Sequence, residues 1–539
     1  MEESAIRPPK PQTEEEPGLS PSEPAQSHSM LLSTLEPPKV DMLTKFGVCL
    51  VMFLVGLYTM MDAVLYVPIA NEFNSLSRSE WIINGYLITT TALQPLYGKG
   101  SDIVGRKFAI ISASLFLLLG SVVSAVSQSM DVLIVGRAVQ GIGSAGIYTM
   151  VNVVIADLFT ERERGWFMGV SSFLWGIATA SGIILGGVLV QLSTWRVAFW
   201  INVPIAIVIA LVIWRMDHLP PTAGSVRDKL RRIDFGGSAL SLVSVVLVLL
   251  ALSWGGRDYA WSSAAVLCSL AFGLGTAVLF VWYEHRVPAE PIVSLKLLRT
   301  RNVALALIGH LFFGAVTYAP AMFIPQWALV VKNTTPITSG LYTLPFSVPE
   351  SFAVLAAGFW VTRTGRYREC VWLGSGLLLA GLTPLVVLDQ HSGLGKIIGF
   401  QLIAGIGMGL CLLTLIFTAQ ASASGAHMAS ATATCLFMRS LGAILVVAVL
   451  ASVNGNRLQS EFARIGAQYP DHRMDIERIA QNQSLIHVLD LPADLFDALV
   501  DAFMRGMRAA FIALIPFSAI FVLVAAAIKH VPLQQTHKL

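Results

Sequence analysis

The sequence predicts an all-α membrane protein with fourteen transmembrane helices, set out as six, two and six. Three observations predict it. Of the 539 residues, 55% are hydrophobic and 13% charged, against about 25% charged in an ordinary soluble domain. Apolar runs long enough to cross a bilayer, about 20 residues each, recur from Phe46 almost to the C-terminus. Motifs of the first third return in the last third at nearly constant spacing, which is the mark of a duplicated half.

Taken in order, the apolar runs place spans near 46–69, 81–98, 108–128, 131–156, 166–191 and 197–215, then 235–254 and 263–284. A last set follows near 302–331, 338–361, 370–389, 396–421, 429–453 and 509–529. Residues 1–45 are rich in Pro, Glu and Ser, lack the apolar stretch of a signal peptide, and read as a disordered cytosolic tail. The first six-helix half covers 46–215, and the basic stretch 216–234 links it to the two extra spans within 235–284. The second half covers 302–529, followed by a short tail at 530–539. Its outer segment, 454–508, carries amphipathic stretches and reads as a surface-lying hairpin or short helix.

Charge sets the orientation. Arg106, Lys107, Arg162, Arg164, Arg231, Arg232, Arg299, Arg301, Arg363 and Arg366 share one set of loops, while the alternate short loops hold few, among them Arg78, Arg257, Lys332 and Lys396. Positive residues stay inside, so both termini are expected in the cytosol. The two glycosylation sequons, at Asn333 and Asn482, both fall in predicted outer loops. A net charge of +3 gives no reason to expect nucleic acid. Cys49, Cys268, Cys370, Cys411 and Cys435 show no metal-ligand spacing and no disulfide framework. No GxxxxGK[ST] stretch is present, and no metal or other cofactor is expected.

The stretch RAVQGIGSAG contains GxGxxG at Gly141, Gly143 and Gly146 and invites a dinucleotide reading. That fingerprint needs a strand, a turn and a helix in a soluble unit, and an apolar span around 131–156 leaves no room for one. It has an echo in QLIAGIGMGL, 264 residues on, just as Gly98, Gly105 and Arg106 of GKGSDIVGRK have an echo in Gly358, Gly365 and Arg366, 260 residues on. Glycines inside spans let helices approach closely, so these three are assigned to packing.

Six spans, two spans and six spans of the same design resemble the major facilitator fold, two six-helix halves plus two linker transmembrane helices. GKGSDIVGRK (motif A), RAVQGIGSAG (motif B), DLFTERERG and WRVAFWINVP together resemble the 14-span drug:proton antiporter family 2, closest to its fungal members, over the chain after residue 45. The resemblance implies a role in proton coupling for Arg137. It implies a cytosolic gate at motif A, with Gly98, Asp102, Gly105, Arg106 and Lys107, which Asp157, Glu161 and Arg162 could extend. Asp102 is read as contacting a helix N-terminus, where a carboxylate is favoured, although the bases of this loop also serve as a positive-inside anchor. The family's motif C falls on Gly169, Gly182, Gly186 and Gly187, with its proline replaced by Ile183 and one glycine by Ala178. Close packing is kept there without the kink.

The residues themselves add candidates. An arginine at a helix centre costs about 2.5–3.5 kcal/mol on insertion scales, so Arg137 faces a cavity or partner, or snorkels to the outer interface. Gln140, at i+3, can share its face. Asp62 is the carboxylate well inside the first span, either a proton or cation site or a structural hydrogen-bond acceptor; aligned on Pro68, the family position falls instead on Thr59. Glu350, between Pro345 and Pro349, is a second intramembrane acid, and His310 could titrate near neutrality or simply pack. Trp81, Tyr86, Tyr148, Phe173 and Trp175 are candidate walls of a substrate cavity.

The expected activity is proton-coupled export of small amphipathic molecules (drugs, toxins or secondary metabolites) by alternating access, in a monomer in the plasma membrane. The alternatives are uptake of basic amino acids into a vacuole and a non-transporting receptor. An enzyme is not expected, since no acid–base pair or metal set converges at one membrane face.

Overall fold

The glycines that mark the repeat in sequence also mark it in backbone geometry. Gly105 (φ 102°) and Gly365 (φ 70°), 260 residues apart, are the glycines with positive φ among the described residues. Each ends a helix just before the arginine of its motif. The computed structural model describes residues 42–63, 65, 69, 72–73, 81–216, 234–255, 259–287, 298–334, 336–423, 428–481 and 483–532.

Fourteen long helices are described. The first six are α1 (Met42–Ala63), α2 (Trp81–Val104), α3 (Arg106–Ala125), α4 (Met130–Leu158), α5 (Glu161–Leu192) and α6 (Trp195–Trp214). The linker pair is α7 (Phe235–Trp254) and α8 (Ala264–Arg286). The last six are α9 (Arg301–Val331), α10 (Leu344–Thr364), α11 (Arg368–Leu382), α12 (Leu394–Ser422), α13 (Met428–Gln468) and α14 (Ala493–Ala526). Thirteen are long and apolar enough to cross a membrane. The other, α2, carries Gln94, Pro95, Lys99 and Asp102. Local chemistry sets several starts: Thr160 and Glu163 form a capping box on α5, Ser129 caps α4, and Asp234 caps α7 through Gly237 N at 2.8 Å.

Packing repeats with the register. In the first half α4 packs on α2 and α3, α1 on α5, and α3 on α6; in the second, α12 packs on α10 and α11, α9 on α13, and α11 on α14. Gly141 lies against Tyr86 O and Gly405 against Phe346 O; Gly143 lies against Leu117 N and Gly407 against Leu378 N. The halves meet through two equivalent crossings, α2 on α13 and α10 on α5, and α7 fills the groove beside α2 and α13. Small residues permit both crossings: a Cβ on Gly98 would collide with Ala433 Cβ, and one on Gly358 would collide with Gly165 O.

Two expectations are corrected, while the expected end of the first span falls largely outside the described residues: its helix is described over Met42–Ala63, and beyond it to 69 only Leu65 and Ile69 are described. The outer segment is not a separate surface hairpin. Instead α13 runs for 41 residues, about 61 Å at 1.5 Å per residue or twice the ~30 Å bilayer core, and α14 already begins at Ala493. A short helix, Arg473–Gln481, lies between them. Among the packing glycines, Gly146 meets Ala113 and Tyr97, Gly182 meets Leu57 O, and Gly186 is buried, but a Cβ on Gly187 would meet open space.

Candidate functional site

Asp62, near the far end of α1, is the centre of a buried polar cluster within the first half. Arg137 Nη1 donates to Asp62 Oδ2 at 2.8 Å and to Gln140 Oε1 at 2.7 Å, while Arg137 Nε donates to Ile82 O at 3.1 Å. Gln140 Nε2 donates to Asp62 Oδ2 at 2.9 Å and to Ser121 Oγ at 3.3 Å. Asn202 Nδ2, on α6, reaches both Asp62 oxygens at 3.0 Å. The guanidinium stands 4.5 Å above the Tyr86 ring. Both charges are out of solvent, with the side chains 4% (Arg137) and 0% (Asp62) exposed. Arg137 therefore does not snorkel. Desolvating two such charges is compensated only when their remaining hydrogen bonds are met, which is what Gln140, Asn202 and Ile82 O do.

A second cluster spans the seam between the halves. Arg439, about 16 Å along α13 from Met428 at 1.5 Å per residue, donates from Nη2 to Tyr148 Oη of α4, and its Cζ lies 5.6 Å from that ring. The crossing of α9 and α13 is tight at this level, because Gly314 lies against Arg439 O and Gly442 against Leu311 O. Tyr318, His310 and Glu350 all lie within electrostatic reach of Arg439. Tyr318 nonetheless keeps 48% of its surface accessible. Tyr318 therefore leaves part of its ring open beside Arg439. Trp175 packs on Tyr148 at 5.3 Å, and Ser440 Oγ lies 3.4 Å from Gln94 Oε1. Tyr86 belongs to the first cluster, its ring lying under the Arg137 guanidinium.

The end of the bundle that carries motif A is held by ties of two kinds. Arg106 bonds Asp157 Oδ2 at 2.8 Å, Asp102 Oδ1 at 2.5 Å and Ser101 Oγ at 2.6 Å, all within the first half. Arg164, buried at the start of α5, bonds Ala156 O at 2.5 Å and Gln420 Oε1 of α12 at 3.1 Å, with Met428 Sδ at 3.5 Å. Ala156 and Gln420 are themselves 264 residues apart. One arginine thus clasps equivalent points of both halves. At the opposite end, Trp195 Nε1 and Arg196 Nη1 hold the two oxygens of Glu72 at 2.6 and 2.7 Å.

The family profile described as Major Facilitator Superfamily matches residues 48–447. The chain belongs to the major facilitator superfamily. Among curated major facilitator proteins it is 31% identical over 424 residues to the MFS-type efflux pump LUC4 of a Fusarium species, covering 78% of this chain and 75% of that one. It is 34% identical over 407 residues to the efflux pump dotC of Dothistroma septosporum, covering 75% and 70%. It is 33% identical over 425 residues to the efflux pump FUS6 of Gibberella moniliformis, covering 78% and 75%. Two solved structures share the fold. The human organic anion transporter MFSD10 aligns with TM-score 0.54 at 15% identity over 92% of this chain and all of that one, and a bacterial homologue of Spinster with TM-score 0.56 at 17% identity over 90% and 97%. The chain is a multi-pass membrane transporter, not an enzyme.

Within this major facilitator chain the expected site residues divide. Asp62, Arg137, Gln140 and Tyr86 come together, as do Glu350, His310, Tyr148 and Trp175 around Arg439. Trp81 instead packs on Trp254 of the linker helix α7, with ring centroids 6.3 Å apart, and Phe173 packs on Phe352 where α5 crosses α10. His310 Nδ1 faces Ala306 O of its own helix at 2.8 Å. Asp102 pairs with Arg106 one turn on, and residues 424–427, which lead into the α13 that α2 crosses, lie outside the described residues. Lys107 is half-buried on α3, the side chain of Arg162 lies outside the described residues, and Arg164 makes the tie its neighbour was expected to extend. Asn333 is exposed in the turn after α9, with φ 49°, and Asn482 lies outside the described residues. Three residues escaped the sequence reading, Asn202, Arg439 and Tyr318, and Arg164 was read only as a loop charge. Arg439 carried a readable signal, an arginine in the apolar run FMRSLGAILVV, and Asn202 stood within WRVAFWINVP.

Proposed function

We propose that this chain is a proton-coupled secondary transporter that exports small amphipathic molecules by alternating access. The observation that carries the reading is the buried Asp62–Arg137–Gln140–Asn202 cluster inside the first half. A carboxylate with that many ionic and amide partners has two arrangements available. It is ionised and tied to Arg137, or protonated with Arg137 released toward Tyr86 and the seam. Exchange between them would couple a proton at Asp62 to the way the halves meet, with Glu350 as a second acid at the seam. One charge moving inward across 100 mV supplies about 2.3 kcal/mol, enough for a gradient of roughly fifty-fold.

The names of the fungal relatives support export, and the loop charges support a cytosolic motif A end with both termini inside; the plasma membrane is part of the proposal. The ties at Arg164 and Gly98 fit a state closed toward the cytosol. Asp62 is already matched by Arg137, which argues against its holding the ammonium group of a basic amino acid. The test is transport by the purified full chain in liposomes under an imposed pH gradient, with fluorescent amphipathic probes. Gradient-driven movement is expected, and its loss by more than about tenfold in Asp62→Asn. Movement indifferent to the gradient would overturn the proposal.

A further inference from the structure

Two arginines stand inside the bundle, and they are used differently. Arg137 is committed: three of its N–H donors go to Asp62, Gln140 and Ile82 O, all in the first half. Arg439 has one hydrogen-bond partner among the described residues, Tyr148 Oη, which takes one of the five N–H donors a guanidinium offers. We propose that Arg439 is the anchor for an acidic group on the transported molecule, so that the substrates are amphipathic weak acids, a carboxylate or phenolate on an apolar or aromatic body.

Position, access and charge support the assignment independently. The root of the side chain is fixed, because Gly314 and Gly442 bring the α9 and α13 backbones into contact at Arg439, while its head reaches across to α4. A guanidinium held at both ends is pre-organised, and little ordering is left for a ligand to supply. Space lies beside it, since Tyr318 is in its field and still 48% accessible. Trp175 against Tyr148 supplies an aromatic wall, matching the usual make-up of a ligand site, mostly apolar with a few polar groups.

Charge then selects the ligand. Glu350 is within electrostatic reach of Arg439 without forming one of the close ion pairs found elsewhere in the chain. The guanidinium fork is therefore open to a bidentate carboxylate. A cationic ligand would be repelled by Arg439 and left with Glu350 alone. This inference rests on the transport reading in taking the seam as the route of the substrate.

Binding can be tested without any gradient. The full chain in lipid nanodiscs is titrated at pH 7.5 with 1-pyrenebutyrate, its methyl ester and a pyrenebutyl-trimethylammonium salt, following energy transfer from tryptophan and subtracting empty nanodiscs. The carboxylate is expected to bind about tenfold or more tightly than the ester, the ratio a charge-assisted hydrogen bond supplies. Arg439→Gln should bring the two within about twofold while leaving ester binding intact, which also shows that the variant is folded. If ester binding is lost in Arg439→Gln, Arg439→Lys decides: a point charge without the fork should keep a reduced preference for the acid. Absent binding of the carboxylate, equal binding of acid and ester, preference for the cation, or an acid preference that survives Arg439→Gln overturns the inference. So does a lysine variant with no preference. An acid preference without gradient-driven transport would instead sink the transport reading and leave the anchor standing.

Discussion

Gly98 and Ala433 meet where α2 crosses α13, and the same crossing recurs as Gly358 on Gly169, with partners displaced by 260 and 264 residues. The two seams between the halves are therefore copies, closed by small residues at the motif A end. A larger side chain at Gly98 has no space unless the helices part. Gly98→Val is expected to cost about 1–3 kcal/mol in this closed arrangement, the usual range for overpacking, and to favour a state open at that end. Thiol labelling at Ser101→Cys should rise in the Gly98→Val background. Unchanged labelling would show that the crossing does not govern access.

The Asp62–Arg137 pair predicts a separation of stability from transport. Removing one partner of a buried pair leaves an uncompensated charge, at a cost of about 3–5 kcal/mol, whereas removing both is often close to neutral. Asp62→Asn should lower the unfolding temperature in detergent, and Asp62→Asn with Arg137→Gln should restore much of it. Gradient-driven transport should fail in both. A double variant that regains transport would move the coupling elsewhere, with Glu350 the next candidate.

The fold was legible because helix number, order and the repeat are written locally. Span length, loop charge and the GR pairs at Gly105–Arg106 and Gly365–Arg366 need no knowledge of contacts. The site was legible only in part. Arg137 and Gln140 sit one turn apart and can be paired by helical geometry, but Asp62 lies 75 residues from Arg137 and Asn202 140 from Asp62. Nothing local announces that meeting. The repeat also misleads here, because symmetry of backbone is not symmetry of chemistry. In the second half Gln401 takes the place of Arg137 and Ala404 that of Gln140, and neither amide atom of the buried Gln401 has a hydrogen-bond partner among the described residues. Pairing Pro204 with Pro516 likewise puts Leu514 where Asn202 stands. The polar cluster is a property of one half, which a motif-by-motif reading of duplicated segments does not reveal.

At the opposite end from motif A, Glu72 carries a pH dependence of stability. The hydrogen bond from Arg196, with that from Trp195, holds its carboxyl below the usual range. A carboxyl depressed in the folded state stabilises the fold above its unfolded pKa, near 4.3, and that contribution fades as pH falls through the lower folded value. The wild-type protein should therefore melt slightly above Glu72→Gln at pH 6, with the gap closing as the pH drops below about 4. The gap will be small, because the pair is partly exposed and such pairs are weak. A gap that persists unchanged at pH 3 would assign the effect to packing around Trp195.

The paired glycines of the repeat should differ in what they tolerate. Gly365 has φ 70° and ψ 5°, within the left-handed region that asparagine also visits. Gly105 has φ 102° and ψ 147°, a conformation essentially confined to glycine. Gly365→Asn should therefore be accepted with little loss of folded protein, since a Cβ there meets open space. Gly105→Asn should cost on the order of 1–3 kcal/mol of backbone strain. It should also pull Arg106 away from Asp102 and Asp157, because Gly105 sets the start of α3 and hence the position of that side chain. Comparing the yield of monodisperse protein and the melting temperature of the two variants is sufficient. Equal tolerance at both sites would mean that the sharp turn at Gly105 is not required for the closed arrangement.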